Sequence, residues 1–106
     1  MIDDKKLRDL INNTDFLLEG LPKGFWRLIK LSTPEIWESP DDDLNEYNWV
    51  VATMGNHCVL YDDENNSFCL GGFNNFGKIE YYSLNKPNLE LQYIIESIVS
   101  SRFIIS

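Results

Sequence analysis

Residues 32–76 contain no lysine and no arginine. The same window carries nine carboxylates: Glu35, Glu38, Asp41, Asp42, Asp43, Glu46, Asp62, Asp63 and Glu64. The net charge of −8 is therefore unevenly spread, and all nine basic residues lie outside that window. A surface that grips nucleic acid must neutralise phosphates, so this distribution argues against a nucleic-acid partner. It argues against docking on anionic membrane for the same reason.

Other absences narrow the possibilities further. No run approaches 18 uninterrupted apolar residues, so no membrane-spanning helix is expected. The amino end starts with Asp3, Asp4, Lys5 and Lys6 and has neither an apolar signal core nor a small-residue cleavage site. A cytoplasmic location is the expectation. There is one histidine, His57, and there are two cysteines, Cys58 and Cys69, both in strand-like runs. Two thiols and one imidazole do not fill a tetrahedral metal site without carboxylates, so no metal and no cofactor are expected. In a reducing compartment the cysteines read as buried apolar thiols rather than a disulfide.

At 106 residues the chain is read as one domain, residues 1–106. Its 43% hydrophobic and 13% aromatic content suits a packed globule. Residues 3–13 have Leu7, Leu10 and Ile11 on one helical stripe, with Asp3 or Asp4 as cap. Thr14 is expected to cap a separate short turn. Residues 20–24, Gly-Leu-Pro-Lys-Gly, mark a break. Residues 25–31 fit either a short helix or a strand, and their aromatic character tips the reading towards strand. Residues 32–47 read as an irregular acidic connection with Pro34 and Pro40, pinned to the body by Ile36 and Trp37. Long connections of this kind are often functional.

Strands are expected at 47–54, 57–61, 67–73 and 78–84, joined by short polar or glycine-bearing turns, which makes an antiparallel meander. Pro87 and Asn88 introduce a closing helix with Leu91, Ile94, Ile95 and Ile98 on one stripe. The apolar tail 102–106 is expected to dock as well. The fold class is α+β: an antiparallel meander sheet of four to five strands flanked by an N-terminal and a C-terminal helix. Both alternating faces of the strands carry apolar groups. Either both are covered, or one exposes an aromatic patch.

No catalytic constellation emerges. Residues 72–78 match Gly-x-x-x-x-Gly-Lys, but Ile79 stands where a phosphate loop needs Ser or Thr, and a strand pattern follows where a helix is required. His57 and Cys58 are strand neighbours whose side chains diverge to opposite faces. Asp41, Asp42 and Asp43 lack the alternating ligands and central glycine of a calcium loop. The chain is not expected to be an enzyme.

The N-terminal helix running into Leu-Pro-Lys-Gly-Phe-Trp-Arg-Leu-Ile-Lys (21–30), the strand series from Met54 to Ser83 and the closing Leu-Glu-Leu-Gln-Tyr-Ile-Ile-Glu-Ser-Ile-Val (89–99) together resemble small bacterial immunity proteins. These are the cytoplasmic antidotes of polymorphic and contact-dependent growth-inhibition toxins, and the likeness is to the SUKH superfamily. The resemblance implies a cognate protein toxin as partner, a basic nuclease-type domain neutralised by steric and electrostatic occlusion. On that reading Asp41, Asp42, Asp43, Glu46, Asp62, Asp63 and Glu64 make contact, with Trp37 and Tyr47 as aromatic anchors. The sequence leaves open monomer or weak dimer. It also leaves open a general protein-interaction or adaptor domain, or a small carboxylate-based hydrolase.

Overall fold

A computed structural model describes residues 1–41, 43–84 and 90–105, without the side chains of residues 84 and 101–105. Two helices, α1 (Asp4–Leu17) and α2 (Gly20–Ile29), precede five strands, β1 (Lys30–Glu38), β2 (Tyr47–Met54), β3 (His57–Asp62), β4 (Ser67–Gly72) and β5 (Tyr81–Leu84), and α3 (Leu91–Ile105) closes the chain. The strands form one antiparallel sheet in the order β1-β2-β3-β4-β5, the meander expected from the short turns. The protein is α+β.

Helix α1 runs past the expected stop. Thr14 does not cap a new turn; its hydroxyl donates to the Leu10 carbonyl one turn back, at 3.0 Å, inside the same helix. Asp3 sits at the N-cap and accepts through its backbone carbonyl, from Leu7 N–H at 3.0 Å, not through its side chain. Gly20 then turns the chain with φ +63°, a left-handed conformation that costs glycine little.

Residues 25–29 are helical, not a strand. The winning term is burial of Trp26, which is fully enclosed and donates its indole N–H to Asp15 of α1 at 2.7 Å. Lys30 reaches the other Asp15 oxygen at 2.8 Å, so one carboxylate ties α1, α2 and the start of β1 together. Pro22 falls in the first turn of α2, where no intrahelical N–H is lost.

The segment read as an irregular connection begins as a regular strand. β1 is an edge strand, the position where Pro34 is tolerated, and only residues 39–46 remain as loop. The last expected strand is shorter than 78–84, because residues 77–79 bond to Glu38 of β1 instead.

Both faces of the sheet are covered. On one, Leu7, Trp26, Val51, Val59, Tyr61, Phe68, Leu91, Ile94 and Ile95 unite the three helices with the sheet. Each such large side chain contributes roughly 1.5–3 kcal/mol by burial. The expected α3 stripe is in place, with Ile98 partly buried at its end. On the other face, Trp37, Val50, Cys58, Leu60, Cys69, Phe73 and Ile79 form a second cluster. The irregular pairing between Val50 and Ala52 allows this division: Val50 joins the second cluster, while Val51 and Ala52 join the first. Residues 73–80 form a strap over the second face. The Gly77 carbonyl accepts from Glu38 N–H at 2.8 Å, and Ile79 N–H donates to the Glu38 carbonyl at 2.9 Å. Asn88, the expected helix cap, lies outside the described residues, as do Pro87 and the side chains of the apolar tail.

Candidate functional site: an acidic end of the sheet

In an antiparallel meander, alternate connections share one end of the sheet. The β1–β2 loop (39–46) and the β3–β4 turn (63–66) therefore come to the same end. Asp43 and Leu44 of the first share a recess with Glu64 of the second and Tyr82 of β5. The topology thus brings together two acidic stretches separated by a whole hairpin in sequence.

The loop 39–46 is fastened from beneath. Asn48, fully buried on β2, donates to Ser39 Oγ at 2.6 Å and to the Tyr82 hydroxyl at 3.0 Å. Tyr82 in turn donates to Asp43, whose other oxygen accepts from Asn45 N–H at 2.8 Å. Burial, followed by the hydrogen bond to Asp43 and that carboxylate's charge, pushes the Tyr82 phenol well above its ordinary value. Lys78, carried in by the strap, donates to the Ser39 carbonyl at 2.8 Å and to Asp41 at 2.7 Å.

The expected contact residues divide by their other duties. Asp41 is 96% exposed, and Lys78 lowers its pKa by hydrogen bond and charge. Asp62 organises the turn, accepting from Glu64 N–H at 3.0 Å and from the Asn65 carboxamide at 2.6 Å. Asp63 accepts from Ile2 N–H at 2.6 Å and so holds the amino-terminal residues to the sheet. Glu46 and Glu64 are exposed. Asp42 lies outside the described residues. Among the described residues, Lys78 is the one cation that forms an ion pair with a carboxylate of the basic-free window, so most of its negative charge is not neutralised locally.

The aromatic expectations divide as well. Tyr47 is half exposed beside Glu46. Trp37 is only 2% exposed and is a core residue, not a surface anchor. Its indole N–H donates to Glu35 at 2.9 Å, and its ring meets Phe73 and Phe76 edge-on at 4.9 and 5.9 Å. The sequence reading missed Leu44, 97% exposed, and Phe76, 75% exposed. A lone leucine inside an acidic run was the available signal for the first. Phe76 sits in the segment that mimics a phosphate loop, which masked it.

The nucleophile candidates are far from activation. Cys58 and Cys69 are free and buried, and burial pushes both thiols up to about 12. They face the same side of the β3–β4 pair, but Cys58 lies opposite Gly71 and Cys69 opposite Leu60. That diagonal separation is too wide for a disulfide without backbone movement. Lys78 of the Gly-x-x-x-x-Gly-Lys match is engaged with Asp41 and Ser39, and no helix follows it. Glu38, Asp41, Asp43 and Glu46 rim a recess of about 320 Å³ that opens broadly to solvent. A second cleft of about 320 Å³, between α1, the β3–β4 turn and the start of α3, contains one carboxylate, Glu90. Among the described residues, no three His, Cys, Asp or Glu side chains converge on a point where a metal ion would sit, and no helix is long and apolar enough to cross a membrane.

Comparison of the chain with protein-family models, with curated proteins and with solved structures returns no match.

Proposed function

We propose that this chain is an immunity-type protein that binds one cognate toxin domain, basic and nuclease-like, and neutralises it by occlusion with the acidic end of its sheet. The observation that carries the reading is the convergence of the 39–46 loop and the 63–66 turn, with Lys78 the one cation paired there among the described residues. A nuclease is cationic where it holds its substrate, and an acidic surface is complementary to it. Such fields raise association rates by roughly 10–1000-fold at low salt. Fastening of the loop through Asn48, Ser39, Tyr82 and Asp43 lowers the ordering cost of binding.

The test is co-expression with the C-terminal domain of the neighbouring gene's product, scored as rescue of growth, with association kinetics measured at low and high salt. Rescue separates an antidote from a general adaptor domain. Charge reversal at Asp41, Asp42 and Asp43 is expected to slow association and flatten its salt dependence. Unchanged kinetics would refute the electrostatic argument.

A further inference from the structure

We infer that the affinity of this surface resides in two apolar anchors, Leu44 on the acidic loop and Phe76 on the strap bonded to it, which enter apolar pockets on a basic protein partner. The inference rests on the functional reading above for the partner's charge and adds which side chains hold it. Well-hydrated carboxylates at a rim steer an encounter but contribute little net affinity, because docking strips their water. A large apolar side chain already standing in solvent gains when it is covered.

The two anchors stand on segments that are hydrogen-bonded to one another. Phe76 precedes Gly77 and Lys78, which are bonded to Glu38, Ser39 and Asp41. Leu44 follows Asp43 and borders the recess shared with Glu64 and Tyr82. The Phe76 ring and the backbone that carries Leu44 are held before any partner arrives. Phe76 is braced edge-on by the buried Trp37 ring and lies 5.3 Å from the Phe73 ring. Leu44 rides on a loop fixed by the Tyr82–Asp43 hydrogen bond. A braced ring and a fastened loop backbone lose less conformational freedom on docking than a mobile segment does. The occupant is set by charge complementarity: Leu44 stands beside Asp43 and Glu64, and Phe76 packs on the Trp37 ring whose indole is bonded to Glu35, with Lys78 paired to Asp41, so the matching surface is cationic with apolar pockets.

The probe is the purified C-terminal domain of the neighbouring gene's product, immobilised and titrated with the 106-residue chain. Leu44→Ala and Phe76→Ala are each expected to weaken Kd by at least about 30-fold, chiefly through faster dissociation. Leu28→Ala, which removes another highly exposed leucine, from α2, is expected to change nothing. Leu44 has no packing to lose, so its variant decides the matter even if Phe76→Ala disturbs the Trp37 cluster. Binding retained within threefold by either anchor variant would overturn this inference and leave the charge-based reading intact. Absence of wild-type binding to the domain would overturn both.

Discussion

Replacing Tyr82 with phenylalanine removes one oxygen and two hydrogen bonds, one donated to Asp43 and one accepted from Asn48 at 3.0 Å. A hydrogen bond to an ionised partner is worth about 1.5–3 kcal/mol and a neutral one about 0.5–1.5 kcal/mol. Two offsets reduce the sum. Asp43 is only partly buried and regains water, and Asn48 keeps its bond to Ser39 at 2.6 Å. The expected loss is about 2 kcal/mol, read in urea as a lower midpoint with an unchanged slope. In a thermal scan it corresponds to a Tm lower by roughly 8 °C. The pH dependence supplies an independent check. The phenol's pKa is raised in the folded state, so folding favours the neutral form. That contribution is complete below about pH 10, where the unfolded phenol is also protonated, and is lost as pH rises above it. Tyr61 is raised by burial and by Asp63 and Asp62 in both proteins and cancels from the comparison. The wild type is therefore expected to lose its advantage over the variant in alkaline solution. A stability difference below about 0.5 kcal/mol, or one that does not shrink above pH 10, would refute the role given to this network.

Three further outcomes are expected. Gly71→Ala places a methyl group 2.9 Å from Leu60, 3.0 Å from the Tyr81 carbonyl and 3.2 Å from Ile79, so it should cost about 1–3 kcal/mol in urea unfolding. For Gly72→Ala the nearest atoms belong to the Tyr81 ring, which is half exposed and can swing aside, so it should cost less; the reverse order would contradict the packing described. Cys58 and Cys69, buried with thiols pushed up to about 12, should resist a thiol-reactive dye at pH 8 and label fully on unfolding, whereas rapid native labelling would show that the second cluster is open. Asp15→Ala leaves the enclosed Trp26 indole N–H without its acceptor and should cost about 1–3 kcal/mol by urea unfolding followed through tryptophan fluorescence; no change would mean that α2 is held by packing alone.

Much of the sheet was legible because its signals are local. The run Tyr47–Met54 is a strand with the expected bounds, Gly55 and Asn56 turn the chain, and the stripe Leu91, Ile94 and Ile95 is buried on α3 as the spacing required. Short turns dictate antiparallel neighbours, so strand order followed from loop lengths. The acidic run was visible as composition; that its two halves meet at one end of the sheet emerged only with the strand topology.

What failed depended on partners distant in sequence. Residues 25–29 carry both helical and strand signals, and the choice was made by Asp15 eleven residues away and by packing against α3. Residues 32–38 look like a loop because proline and acids interrupt them, and pairing with β2 makes them part of an edge strand. Trp37 had the sequence credentials of a surface anchor, yet the strap around Phe73 and Phe76 buries it and leaves Phe76 outside. The sequence by itself determined the strand and turn periods, the apolar stripes and the sign of the charge. Only the tertiary structure decided which aromatic is covered and which carboxylates are occupied in turns or bonded to Lys78. Burial and hydrogen bonding are properties of pairs, and these pairs are joined by chain reversals that no local pattern encodes.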